Sequence, residues 1–113
     1  LILVYPVVTM GENTHAGSRN YLIGPYPAQE YANLTSIEKQ VTKHFPPTFL
    51  WWGDQDQTVD PDNSRMLKAA LEHNGILCDC VEYSGVGHGV GIGKDLSCEG
   101  WIEKAVAFWE KQR

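Results

Sequence analysis

Three short runs of apolar residues are separated by longer, mixed segments. These runs, residues 1–8, 48–53 and 76–83, are rich in β-branched and aromatic side chains and predict strands. The first run is continuously apolar, which is typical of a strand buried on both faces inside a parallel sheet. Trp51 and Trp52 alternate along the second run, so we expect them to pack in the core on opposite faces of the sheet.

Two further segments have apolar positions at helical spacing. In the first, Asp60 can cap the helix, Pro61 takes the favoured first position and Gly75 follows the end. Its apolar stripe comprises Met66, Leu67, Ala70 and Leu71. The second helix is predicted over roughly residues 98–112, with Trp101, Ile102, Ala105, Phe108 and Trp109 on one side. Strands that alternate with helices predict an α/β fold with three parallel strands and right-handed crossovers.

Residues 11–45 form a polar segment that contains Gly and Pro and has weak periodicity. Within it, residues 35–38 read Thr-Ser-Ile-Glu, a capping-box pattern that predicts a short helix through about Val41. A connection of this length between two strands is unusual unless it has a function. We therefore expect a lid-like segment at about residues 11–45.

The composition is that of a globular chain, with 42% hydrophobic and 20% charged residues among 113. There are 14 acidic and 9 basic residues and no Lys/Arg cluster, so nucleic acid and anionic membranes are poor candidate partners. The three cysteines, Cys78, Cys80 and Cys98, exclude a complete disulfide framework because their number is odd, and we expect Cys78 and Cys80 to be small buried residues with free thiols. No signal peptide or membrane-spanning stretch is visible, and the sequence leaves the compartment open.

Residues that could take part in catalysis follow the second and third predicted strands. The second is followed by GDQDQTVDP, which offers carboxylates, and the third by SGVGHGVG, which offers His88. Functional groups gather beyond the carboxyl ends of strands in open α/β sheets, so an Asp and His88 can meet there if the strands are neighbours. Such a pair is the orienting half of a nucleophile–His–Asp triad. The glycines of residues 85–93 do not match the dinucleotide-binding pattern G-x-G-x-x-G.

Four stretches, YPVVTM, HAGSRNYLIG, PPTFLWWGDQDQTVDPDNS and GHGVG, resemble the C-terminal part of an α/β-hydrolase. The nearest resemblance is to serine esterases of the acetyl xylan esterase type, and it covers nearly the whole chain. The family element Gly-x-x-Asp-x-x-Val is formed by Gly53, Asp56 and Val59. The resemblance implies that Asp56 is the triad acid and His88 the triad base, in the Ser, Asp, His order of that fold.

Other residues compete for these roles. Asp54 lies nearer the strand end than the motif spacing requires, and Asp60 is better used as a helix cap. His15 falls in a segment that passes over the active-site region in the family, and we interpret it as a polar lid residue. We interpret His44 and His73 as solvated residues at helix ends.

The family nucleophile, a serine in G-x-S-x-G, does not occur in these 113 residues. The candidate serines, Ser18, Ser84 and Ser97, lack the flanking glycines, and the oxyanion-hole loop is missing as well. We expect both to lie upstream of Leu1, so that residues 1–113 are the C-terminal portion of a single α/β-hydrolase domain. The first strand would then expose an apolar edge, which predicts self-association.

The resemblance implies a serine carboxylic-ester hydrolase that deacetylates plant polysaccharide such as xylan, or small acetyl esters. It implies an ester substrate, no cofactor and no metal, and we expect these 113 residues to be inactive alone because they lack a nucleophile. The alternatives are a peptidase or lipase on the same fold and a non-catalytic hydrolase-like remnant.

Overall fold

The computed structural model describes residues 1–113 as a three-stranded parallel sheet with helices on both faces. The strands, in spatial order, are β1 (Ile2–Val4), β2 (Thr48–Gly53) and β3 (Cys78–Tyr83). The helices are α1 (Ala16–Ile23), α2 (Gln29–Thr35), α3 (Asp62–His73) and α4 (Trp101–Glu110), with a 3-10 turn at Ile37–Lys39. The predicted α/β architecture is confirmed, and the carboxyl ends of all three strands meet at one edge of the sheet.

Strand β2 is the centre of the molecule, and all six of its residues are buried. Its side chains alternate between two separate cores, as predicted for Trp51 and Trp52. One core contains Leu50 and Trp52 and is covered by Leu67 and Leu71 of α3. The other contains Phe49 and Trp51 and is covered by Ala105 of α4. The two crossover helices therefore lie on opposite faces of the sheet.

The first strand is shorter than the predicted span of residues 1–8, and it lies at the edge of this sheet rather than inside it. The strand ends after Val4 because Tyr5 has a left-handed backbone, with φ +37°. The Tyr5 N–H makes the last ladder bond, to the Trp51 carbonyl, and Pro6 has no N–H to donate. Val8 and Thr9 instead donate their N–H groups to the side chain of Asn63. The apolar run of residues 1–8 therefore predicted a longer strand than the one that forms.

The other element boundaries shift by one to three residues. Strand β3 begins at Cys78, because Gly75 (φ +67°) turns the chain and Ile76 N–H still bonds to Leu71 of the preceding helix. Helix α3 begins at Asp62, although the predicted cap Asp60 does accept the Asp62 N–H through its side chain.

Helix α4 begins at Trp101 rather than at residue 98, because Gly100 precedes it with φ +86°. Its predicted apolar side is only partly covered. Ala105 is buried, whereas Ile102 and Trp109 are 40% and 50% exposed. None of the helices combines the length and the apolar character needed to cross a membrane.

The lid-like segment contains two helices, α1 and α2, that the periodicity did not predict. The predicted capping box is wrong, because Thr35, its cap residue, ends α2 and donates its hydroxyl back to the Tyr31 carbonyl at 2.6 Å. The next residue, Ser36, donates its hydroxyl to the Ala32 carbonyl at 2.7 Å and accepts the buried Met10 N–H at 2.9 Å. Ser36 therefore fixes the segment to the chain leaving β1, a long-range role that a local pattern does not reveal.

All three cysteines are free thiols, as predicted for Cys78 and Cys80, but only Cys98 is fully buried. Cys78 and Cys80 are half-buried on β3. Burial, with a smaller contribution from neighbouring Cys78, raises the pKa of the Cys80 thiol from 9.0 to about 12. Burial also raises the pKa of Cys98. Both thiols are therefore neutral near pH 7 and poorly suited to act as nucleophiles.

Candidate active site

The loop that follows β2 holds the Asp56 carboxylate in one orientation. Its Oδ1 atom accepts the backbone N–H groups of Thr58 and Val59, both at 2.9 Å. The side chain is only 2% exposed. Two hydrogen bonds to one oxygen stabilise the charged carboxylate and leave Oδ2 free to meet a partner from another loop.

That partner is His88, whose Nδ1 atom lies 2.7 Å from Asp56 Oδ2. An ionised carboxylate can only accept, so the hydrogen bond places the ring proton on Nδ1 and leaves Nε2 unprotonated in the neutral imidazole. The His88 side chain is 30% exposed, so the imidazole is only partly covered by the protein. The hydrogen bond predicted between these two residues is present.

Further contacts tie the two loops together. Asp54 N–H donates to the Tyr83 carbonyl and Gln55 N–H to the Val86 carbonyl, each at 3.0 Å. The carboxylate of Asp54, the competing acid, accepts the Gly85 N–H at 2.7 Å and has no bond to His88. Asp54 thus holds the histidine loop in place, and of these two acids only Asp56 is hydrogen-bonded to the imidazole.

Gly53 allows these loops to approach each other. A Cβ at this position would lie 2.0 Å from the Val86 carbonyl oxygen, which is far inside contact distance. Val59, the last residue of the Gly-x-x-Asp-x-x-Val element, is buried and donates to Asp56. The three positions of this element therefore have distinct physical tasks, namely close approach, charge and an N–H donor.

Tyr5 belongs to the site although the sequence reasoning did not single it out. Its ring centroid lies 4.5 Å from that of His88 and 5.1 Å from that of Trp51. Its position in the sequence is the one feature that could have indicated this role. Tyr5 follows the first strand, at the same sheet edge as the Asp56 and His88 loops. No local pattern indicates that its ring turns toward the histidine.

The remaining histidines and serines lie outside this arrangement. His15 caps α1, where its Nδ1 accepts the Ser18 N–H at 3.2 Å, and His44 and His73 are exposed. The Ser97 hydroxyl donates to the main chain of Ser84 at 2.7 Å. None of the serines is hydrogen-bonded to His88, and the Ser18 hydroxyl instead lies 2.9 Å from Nδ1 of His15 in the cap of α1.

A polar pocket of about 460 Å³ lies beside the acid loop. Its walls come from residues 12–14 and from the turn that runs from Asp56 through Pro61. His88 does not line it. The imidazole is therefore not part of the pocket wall, although Asp56 is.

The sequence pattern of the prolyl oligopeptidase family matches residues 4–113. The chain belongs to the prolyl oligopeptidase family. This family member is also 36% identical over 101 residues to endo-1,4-beta-xylanase B of Butyrivibrio fibrisolvens. That alignment covers 89% of this chain and 16% of the xylanase.

Solved structures place this prolyl oligopeptidase family member in the α/β-hydrolase fold, as the sequence resemblance predicted. An acetyl ester-xyloside bifunctional hydrolase from Caldicellulosiruptor lactoaceticus superposes with a TM-score of 0.81 at 30% identity, covering 95% of this chain and 42% of that one. The carboxylesterase Cest-2923 from Lactobacillus plantarum WCFS1 has the same fold, with a TM-score of 0.77 at 22% identity and coverage of 98% and 43%. The chain therefore spans less than half the length of these relatives.

Proposed function

We propose that this chain carries the Asp–His half of the catalytic triad of a serine carboxylic-ester hydrolase. The observation that carries the proposal is the 2.7 Å contact between Asp56 Oδ2 and His88 Nδ1, with the opposite ring nitrogen left free. A buried carboxylate in this position selects the useful tautomer and stabilises the imidazolium that forms when His88 accepts a proton.

The serine and the oxyanion donors would come from a part of the hydrolase domain outside these 113 residues. Two observations support this. The chain contains no G-x-S-x-G, and it corresponds to 42% of the length of the acetyl ester-xyloside hydrolase. We therefore expect the 113 residues alone to hydrolyse no ester, because His88 has no nucleophile to activate.

In the assembled site, His88 would act twice. Its Nε2 would accept the serine proton as the oxygen attacks the ester carbonyl, and the imidazolium would then donate that proton to the departing alkoxide. Water would next attack the acyl-enzyme as Nε2 accepts one of its protons, and the imidazolium would return that proton to the serine oxygen as the acid is released. Asp56 would stabilise each imidazolium that forms.

We propose acetyl esters as the substrate class, on plant polysaccharide such as xylan or on small molecules. The relatives support this choice, because one is named an acetyl ester-xyloside hydrolase and another a xylanase. The second candidate is a peptidase, favoured by the name of the matched family. Acetate release from acetylated xylan and cleavage of a peptide, measured on the same longer protein, distinguish the two.

The triad assignment predicts a large and selective loss of activity. In a protein that includes the upstream region, Asp56→Asn should lower kcat by up to about 10⁴-fold, because the amide favours the wrong tautomer. Asp54→Asn should cost little, because its side-chain oxygen can still accept the Gly85 N–H. Acetate release from acetylated xylan is the measurement, and an Asp56→Asn enzyme with full kcat would overturn the assignment.

The isolated chain tests the location of the nucleophile. The 113 residues should cleave p-nitrophenyl acetate no faster than free imidazole does, and an unactivated ester should not turn over at all. Turnover of the unactivated ester that is lost in a His88→Ala control would mean that the nucleophile lies within these residues.

A further inference from the structure

We propose that Tyr5 is a positioning residue for His88, an inference that rests on the proposed function of His88 as the triad base. Its ring packs against the imidazole, and together with the Asp56 hydrogen bond it fixes the direction in which Nε2 points. The contact is close, with ring centroids 4.5 Å apart and planes inclined by 57°.

The hydrogen bond to Asp56 cannot position the imidazole by itself. It fixes one atom, Nδ1, but a ring held at one atom can still tilt about that bond. A side chain packed against the ring face limits the tilt and so restricts the plane of the imidazole. Tyr5 makes this second contact, since aromatic rings at this separation attract each other in tilted arrangements.

Tyr5 is itself held by the core. Its ring meets Trp51 at 5.1 Å with an interplanar angle of 88°, and Trp51 is fully buried in the central strand. Its N–H donates to the Trp51 carbonyl at 2.8 Å, extending the ladder between β1 and β2 beyond Val4. The tyrosine therefore connects the buried central strand of the sheet to the imidazole.

The backbone conformation of Tyr5 supports the same role. Its φ of +37° lies in the left-handed region, which is disfavoured for bulky side chains and is found where the surrounding structure enforces it. A glycine would adopt this φ at no steric cost. What the tyrosine adds at this strained position is the ring against His88 and Trp51.

The first test is nuclear magnetic resonance on the 113-residue chain. We expect cross-relaxation between the Tyr5 ring protons and the His88 ring protons, and upfield ring-current shifts of the latter. In Tyr5→Leu these shifts should disappear, and the His88 Nδ1 proton should exchange with water about three- to tenfold faster, the change that loss of a typical aromatic pair produces. Tyr5→Phe should retain both signatures, and the exposed-site control Tyr21→Leu should leave them unchanged.

An unaltered Nδ1 proton in a folded Tyr5→Leu chain would overturn the proposal. If that variant does not fold, the wild-type chain still decides, because absence of Tyr5–His88 cross-relaxation would overturn it as well. Neither readout requires ester hydrolysis, so they remain decisive even if the proposed function fails.

The second test is kinetic and uses a protein that includes the serine. Tyr5→Leu should lower kcat by about 10- to 100-fold with little change in KM, since misplacing a catalytic group slows the chemical step. Tyr5→Phe should retain most of the wild-type kcat, because the aromatic ring is kept. A loss confined to KM, or a full kcat in Tyr5→Leu, would overturn the positioning role, whereas an inactive wild-type protein would contradict only the proposed function.

Discussion

Gly53 sets how closely the acid loop approaches the histidine loop. In Gly53→Ala, the new Cβ would lie 2.0 Å from the Val86 carbonyl oxygen and 2.8 Å from the Val86 Cβ, so the main chain would have to move. We expect this change to lower the free energy of unfolding by about 3 kcal/mol. Gly87→Ala is the matched control, because its nearest neighbour would be the Gln55 oxygen at 3.8 Å, and it should change stability by less than about 0.5 kcal/mol. Urea unfolding measures both, and equal losses would contradict this account.

Helix α3 is joined to the chain leaving β1 by one fully buried side chain, Asn63. Its Oδ1 accepts the N–H groups of Val8 and Thr9 at 2.9 and 3.0 Å, and its Nδ2 donates to two main-chain carbonyls. Asn63→Ala would leave buried polar groups without partners, and we expect a loss of about 3 kcal/mol in the free energy of unfolding. Thermal or urea unfolding should show almost no loss for Asn20→Ala, an exposed asparagine on α1. A loss below about 1 kcal/mol at position 63 would mean that water replaces the amide.

The unpaired edge of β1 is the surface through which we expect copies of the chain to associate. The strand has a partner on one side only, and Leu1 and Ile2 are 47% and 41% exposed. A free apolar edge can pair with another chain, so we expect the 113 residues to self-associate as concentration rises. In sedimentation velocity, Ile2→Lys should shift the chain toward monomer. The control Leu34→Lys, on the exposed surface of α2, should have little effect on association. A wild-type chain that stays monomeric at high concentration would contradict this prediction.

By itself, the sequence determined the elements whose signals are local. The buried strand β2 and the periodic stripe of α3 were predictable because side-chain period and capping chemistry are read from neighbouring residues. That an Asp of the loop after β2 can meet His88 was predictable for a related reason, whereas the choice of Asp56 came from the resemblance to the α/β-hydrolase family. Each follows a strand, and parallel strands bring their carboxyl ends to one edge whatever the rest of the chain does.

The tertiary structure alone decided how that pair is supported. The left-handed turn of Tyr5 onto His88, the buried amide of Asn63 and the bond from Met10 to Ser36 join residues distant in sequence. No local pattern encodes them, because a polar or aromatic side chain has the same intrinsic preferences whether it meets solvent or a distant main chain. Only the packing of the elements determines which partner it finds, and therefore how long β1 is and where the imidazole points.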